Sequence, residues 1–339
     1  MSMLIRQKRT ILYGLILLGL GWLIYRFAFA ENTSSYLAYE RDFAVKDKDR
    51  IHTIFIANRA AGTRYILKRQ PDNSWTVNGQ KANQRMIDDM LRVFPNIRIR
   101  YQPAASAYPH IMHQMIKYAL KIELYDEEGN LLKCFYLGGD PPDSEGTLAM
   151  MCGADQPYVV QMGIIDGSIY PYFDWVGEEM RDPFLFPFDP EEIDYYRLDY
   201  PLAPASGFQL LRLSRDTFAL QRATDTSLDR SPHPVQGRIL DYLYALKKLE
   251  VVGFINEDPR RDTVLQLQPY AEMTVHTHGD TLRMKLYPKH PTRHTVVFDY
   301  RLVDSLQPFY YFGLYNDTDF VALQHLLLHP LLKTYEELE

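Results

Sequence analysis

The sequence predicts an α+β fold: an N-terminal transmembrane helix followed by two similar lobes, each of mainly antiparallel sheet with one principal helix. Three observations carry this. An uncharged apolar run, ILYGLILLGLGWLIY, fills residues 11–25 behind Arg6, Lys8 and Arg9. From residue 43 onward, short alternating strands dominate, with two clear helical stretches. The landmarks of the first half recur about 150 residues later.

A helix spanning the bilayer core needs about 20 residues at a rise of about 1.5 Å each. The apolar run falls short of that unless Arg26 snorkels to the interface, which extends the span over residues 10–30. Trp22 and Tyr25 then stand where an aromatic belt holds the far end. A cleavable signal peptide is the rival reading, because Ala28-Phe29-Ala30 fits the small-x-small cleavage rule before Glu31. Arg26 and Phe27 between core and site weigh against cleavage. Basic residues ahead of the span place residues 1–9 in the cytoplasm and the body outside it.

In the first lobe, residues 51–56, Tyr65–Arg69 and Trp75-Thr76-Val77 read as strands, the last closed by the turn pair Asn78-Gly79. A helix begins at the cap residue Asn83. Met86, Ile87, Met90, Leu91 and Phe94 make its apolar stripe, and Pro95 stops it. Leu120, Ile122 and Leu124 lead through the turn 126–130 to a return strand, Leu131–Leu137. The loop 138–146 leads to a further strand pair, 147–152 and 157–162.

The second half repeats this order. Ile193–Leu198 and Phe208–Leu213 are strands, and Phe218-Ala219-Leu220 stands where Trp75-Thr76-Val77 stood. A helix over about 235–249 carries Ile239, Tyr242, Leu243, Leu246 and Leu249. Met273, Val275 and Thr277 turn through His278-Gly279-Asp280 into Leu282, Met284 and Leu286. The tail from Val321 through Leu332 reads as a final amphipathic helix. Aligning the helices gives an offset of 153 and aligning the hairpin turns gives 150. We read a tandem duplication, with two unrelated α+β stretches that happen to match as the other reading; the domains then fall at 31–186 and 187–339, with a Phe- and Pro-rich connector before Glu191.

Composition narrows the function. Of 339 residues, 46% are hydrophobic and 13% aromatic, which excludes a disordered chain. The net charge is −6; residues 1–30 hold four basic residues and no acid, so the body carries −10. Such a body lacks the basic face that nucleic acid demands.

No catalytic, cofactor-binding or metal-binding set emerges. His276 and His278, and His325 and His329, have ligand-compatible spacing, but the second pair reads HLLLH without the Glu of a zincin, and Arg283 and Lys285 are expected beside the first. The acidic pairs Glu178-Glu179 and Glu191-Glu192 read as capping or solvated groups. The loop Gly138-Gly139-Asp140-Pro141-Pro142 lacks the N–H groups of a phosphate cradle. Cys134 and Cys152 flank that loop. If the strands pair as a hairpin, the two face each other and a disulfide is geometrically open to them; two buried free thiols are the other reading. Phe309, Tyr310, Tyr311, Phe312 and Tyr315 form a candidate partner patch, with sheet packing as the competing explanation.

Trp75-Thr76-Val77-Asn78-Gly79, followed by Ala82 and a helix, resembles the repeated unit of the bacterial domain-of-unknown-function family 4340, which approaches its helix through W-x-V-N-G-x-x-A-D. Tyr136-Leu137-Gly138-Gly139, then Gly146-Thr147, then Trp175 with Arg181-Asp182-Pro183, is similar to the later progression of that family. Asn83 stands in place of the acidic residue and Leu148-Ala149 in place of an aromatic. The resemblance covers about 40–200. It implies one membrane helix, an extracytoplasmic body and, in some members, genetic proximity to gliding-motility-type ABC transporter components; it implies no catalytic residues. The expected function is therefore a non-enzymatic, membrane-anchored periplasmic interaction or scaffold protein of a cell-envelope complex in the bacterial inner membrane, with an envelope protein as partner and no cofactor. The alternative is a periplasmic ligand- or glycan-binding module with its site between the lobes.

Overall fold

The computed structural model describes residues 19–20, 35–163, 167–175, 178–215, 217–225, 236–289 and 310–339. All but two residues of the expected membrane segment 10–30, and Phe309 of the aromatic patch, lie outside them. Among the described residues no helix is long and apolar enough to cross a membrane.

The fold is α+β, with two antiparallel sheets and few helices. The first half runs α1 (Ser35–Arg41), β1 (Thr53–Asn58), β2 (Thr63–Arg69), β3 (Trp75–Val77), β4 (Gln80–Lys81), α2 (Gln84–Val93), β5 (Ile97–Tyr101), α3 (Tyr108–Tyr118), β6 (Leu120–Tyr125), β7 (Leu131–Leu137), β8 (Thr147–Met151) and β9 (Tyr158–Met162). The second runs β10 (Ile193–Asp199), β11 (Phe208–Ser214), β12 (Thr217–Arg222), α4 (Gln236–Lys247), β13 (Val251–Phe254), α5 (Arg261–Leu265), β14 (Ala271–Thr277), β15 (Thr281–Lys289), β16 (Tyr310–Tyr315), β17 (Asp319–Gln324), α6 (His325–Leu328) and α7 (Tyr335–Leu338).

The sheets share one topology. Their strand orders are β4-β3-β2-β1-β6-β7-β8-β9-β5 and β12-β11-β10-β14-β15-β16-β17-β13. With the two-residue β4 set aside, each strand of one has a counterpart in the other, taken in chain order. Registers match as well. Arg69 pairs with Trp75 and Arg212 with Phe218. In both copies the guanidinium lies over the paired ring, at 5.4 Å and 4.6 Å from its centre. Leu120 pairs with Leu137 where Ala271 pairs with Leu286, and Leu137 with Ala149 where Leu286 pairs with Gly313.

The duplication also includes the approach to each first strand. Asp47 and Asp189 each precede a short 3-10 turn, and the turns lead to the buried Ile51 and Ile193. Ahead of them, the Val45 amide donates to Phe94 O at 3.1 Å, and the Leu185 amide to Leu249 O at 3.2 Å. The Phe- and Pro-rich stretch before Glu191 is thus the entry strap of the second copy, laid along β13.

Contact density divides the chain into two compact units, one built mainly from Arg92–Tyr170, the other including Ala61–Leu91 and Pro171–Glu339. This division differs from the expected boundaries at 31–186 and 187–339; residues 81–83 bond to 180–182, the Asn83 amide donating to Met180 O at 2.7 Å and the Asp182 amide to Lys81 O at 2.8 Å.

In the second unit the apolar faces of the sheet and α4 meet. Ile239, Tyr242, Leu243 and Leu246 fall at i, i+3, i+4 and i+7 and are all buried against Tyr196, Leu198, Met273 and Val275. Each such aliphatic side chain contributes about 1.5–3 kcal/mol. The tail departs from expectation. Val321, Ala322 and Leu323 are strand, not helix, because β17 is hydrogen-bonded on both sides, to β16 and β13, and buries Phe320, Val321 and Leu323. Helix α3, unforeseen, starts with Pro109 at its first turn and buries Ile111 and Met115, one turn apart.

Candidate functional site

The register of β7 and β8 pairs Phe135 with Met151, so Cys134 stands opposite Cys152. The two are joined as a disulfide with Cα atoms 5.4 Å apart. The Cys152 amide donates to Cys134 O at 3.0 Å, and the Tyr39 hydroxyl of α1 donates to Cys152 O at 3.0 Å. The second copy closes the same place without sulfur: the Arg283 amide donates to Asn316 Oδ1 and the Asn316 amide to Arg283 O, both at 2.9 Å.

Within the aromatic stretch, Tyr311 and Phe312 belong to the core rather than to an exposed patch, and Tyr315 is half-buried. Strand β16 lies between β15 and β17, so Tyr311 and Phe312 are 0% and 4% exposed. The Tyr315 hydroxyl donates to Leu185 O at 2.8 Å, and burial pushes its pKa up to about 12. Tyr310 occupies the first position of the strand.

The first histidine pair separates, whereas the rings of His325 and His329 lie 5.1 Å apart. His276 pairs with Thr281, at the end of β14, which places Arg283 opposite Thr274 instead. His276 packs its ring 5.0 Å from that of Tyr195, whereas His278, in the turn, meets Asp194 at 3.2 Å. Among the described residues no group of three His, Cys, Asp or Glu side chains could hold a metal. Of the acidic pairs, Glu192 accepts from the Asp189 amide at 2.7 Å in a capping box, and Glu191 pairs with Arg215.

One charged cluster is much better ordered. Arg181 forks onto both carboxylate oxygens of Asp319 at 2.9 and 2.8 Å, donates to Glu178 at 2.8 Å, and lies 3.7 Å over the ring of Phe254. Asn256 donates to Glu178 and Asp319 and accepts from the Phe320 amide. The Arg181 guanidinium holds the Asp319 carboxyl below the usual carboxylate range, with Asn256 assisting. Through its ion pair with Asp319 and its place over Phe254, Arg181 ties β17 and β13 to the entry strap. Sequence offers one sign of it, the dipeptide Arg-Asp, which begins the approach to each copy at Arg41-Asp42 and Arg181-Asp182.

The second unit also holds a cavity of about 220 Å³ between the turn 204–206 and the C-terminal helices. Tyr200, Tyr270 and Tyr311 form one wall, His325 and His329 continue it, and Ser206, Lys333, Thr334 and Glu337 edge it. Tyr200, Tyr270 and Tyr311 lie far apart in sequence, at the ends of β10, β14 and β16, so only the strand order reveals them as one group. A wider, shallower cavity of about 550 Å³ in the same unit is lined by Arg64, Tyr65, Glu178, Asn256, Glu257 and Asp258 among others. No protein family model, curated protein or solved structure matches the chain.

Proposed function

We propose that this chain is a membrane-anchored, extracytoplasmic interaction protein of a bacterial cell envelope, with residues 1–9 in the cytoplasm, residues 10–30 as its anchor and the duplicated α+β body in the periplasm. Its role is to hold an envelope protein partner, as an auxiliary of an ABC transporter or of gliding or secretion machinery, without chemistry of its own.

The observation that carries the reading is the Cys134–Cys152 bond. Disulfides persist in oxidising compartments and are rare in the cytosol of mesophiles. The basic-flanked apolar run at 11–25 points the same way, since it orients the body outward. The resemblance of residues 75–83 and 136–183 to family 4340 agrees with both. The polar cluster around Arg181 is tied together by hydrogen bonds within the protein, which suits a rigid platform.

The test combines topology and partnership. Protease added to spheroplasts should remove the body while leaving a short membrane-retained fragment, and crosslinking in intact cells should give one discrete adduct containing an inner-membrane transport or secretion component. A body protected from protease in spheroplasts, or crosslinking that yields the uncoupled chain alone, overturns the proposal.

A further inference from the structure

The two copies of the fold act as controls for each other. Residues that the shared architecture requires should occur in both, and residues peculiar to one copy mark what that copy has acquired.

At three equivalent positions the copies differ in the same direction. Ile54, Ile56 and Asn58 of β1 are buried, and their counterparts are the buried Tyr196 and Leu198 of β10 and Tyr200 just past its end. Ala119, just before β6, corresponds to Tyr270, just before β14. The pairing of Leu137 with Ala149 and of Leu286 with Gly313 makes Thr147 correspond to Tyr311. Asn, Ala and Thr in the first copy are thus Tyr, Tyr and Tyr in the second. The first copy closes the place with its own chain: Thr147 is buried, its hydroxyl is 2.9 Å from that of Ser168 and accepts from the Ile169 amide at 2.8 Å. In the second copy the rings border the 220 Å³ cavity.

The rings are also contiguous. Tyr200 and Tyr270 have centres 5.7 Å apart, Tyr270 and Tyr311 6.5 Å, Tyr311 and His325 6.0 Å with near-parallel planes, and His325 and His329 5.1 Å. Tyr200 and Tyr311 are buried, Tyr270 and His325 half-buried, and His329 exposed, so the ladder runs from the floor of the cavity to its mouth.

The chemistry of the lining selects a ligand class. Aromatic faces and edges offer an apolar surface, while the Ser206 hydroxyl and the His329 imidazole add polar hydrogen-bonding groups at its edge. Lys333 and Glu337 face each other at 3.5 Å, so the rim carries charges of both signs and favours neither anion nor cation. A compact neutral polyol with one apolar face satisfies all of this. The volume lies below the roughly 300–1,000 Å³ of pockets for drug-sized ligands, which limits the occupant to about one ring.

We propose that the second copy carries a binding site for a single neutral hexopyranose ring, seated against Tyr270, His325 and His329. The proposal goes beyond the interaction role and does not rest on it, since binding is read on the sugar whatever the topology of the chain.

The test is saturation-transfer NMR on the full chain in a non-glycosidic detergent, with the methyl glycosides of glucose, galactose, mannose and N-acetylglucosamine, and phenol as an aromatic control. At least one glycoside should bind saturably with a Kd of about 1 mM, its ring C–H protons receiving the strongest transfer. His329→Ala, an exposed change that leaves the core intact, should weaken it about tenfold, and Tyr270→Ala by at least as much. Saturation by none of the four up to about 50 mM overturns the proposal. So does binding unchanged in both variants, or binding of phenol alone.

Discussion

Replacing Cys134 and Cys152 by alanine removes the only covalent cross-link, and its cost follows from the topology. The bond closes a loop between positions 18 apart. In the chain-entropy account, freeing a loop of that length in the unfolded chain costs about 3 kcal/mol at 25 °C. The folded state should barely change. The Cys152 amide still donates to residue 134, the Gly138 amide to Leu148 O at 2.7 Å and the Leu148 amide to Gly139 O at 3.1 Å, so the strands and the start of the loop keep their pairing. Alanine avoids placing a hydroxyl at position 134, which is 5% exposed. The assay is urea unfolding of the double variant beside the wild-type chain, with and without reductant. We expect a loss of about 3 kcal/mol, a steeper denaturant dependence because the uncross-linked chain exposes more surface, and a reduced wild-type chain that matches the variant. A loss below about 1 kcal/mol, or a wild-type chain indifferent to reductant, would refute the reasoning.

Three further changes probe the packing. Gly313→Ala places a Cβ 2.7 Å from Met284 Sδ and 2.9 Å from Val321 Cγ2; Met284 can yield but the branched Val321 cannot, so thermal unfolding should report a loss of about 1–3 kcal/mol. Tyr242→Phe removes the hydroxyl that contacts Tyr196 Oη at 2.5 Å and donates to Leu331 O at 2.8 Å; about 1–2 kcal/mol should be lost, and a double-mutant cycle with Tyr196→Phe should show coupling. Asp319→Asn tests the ion pair through pH. Because Arg181 depresses the Asp319 pKa, the pair stabilises the fold above the ordinary carboxylate range and loses that stability as pH falls through the depressed value. The variant should therefore be weaker at pH 7 and show a shallower acid decline below pH about 4; parallel pH profiles would contradict this.

The architecture was largely legible because it is written twice. Alternation at Leu120, Ile122 and Leu124 and at Met273, Val275 and the residues around them marks the hairpins, and Asn83 with its apolar stripe marks α2. Regions whose order depends on distant partners were harder. Val321-Ala322-Leu323 suits helix or strand locally, and its pairing with both β16 and β13 decides for strand. The aromatic run carries no sign in sequence of whether it faces solvent; the position of residues 310–315 inside the sheet does. The Arg181–Asp319 pair spans 138 residues, and the tyrosine wall joins β10, β14 and β16, so neither is a spacing that a linear reading detects. The cysteines are the exception, because a two-strand hairpin converts their spacing directly into proximity.

The claim that the body lies outside the cytoplasm is tested most directly on the cysteines. Cells are lysed in denaturant with excess maleimide, and the mass of the intact chain is measured before and after reduction. The account predicts no adduct before reduction and two after it, from Cys134 and Cys152, the two cysteines of the chain. Two adducts before reduction would mean that the thiols are free in the cell, and would contradict it.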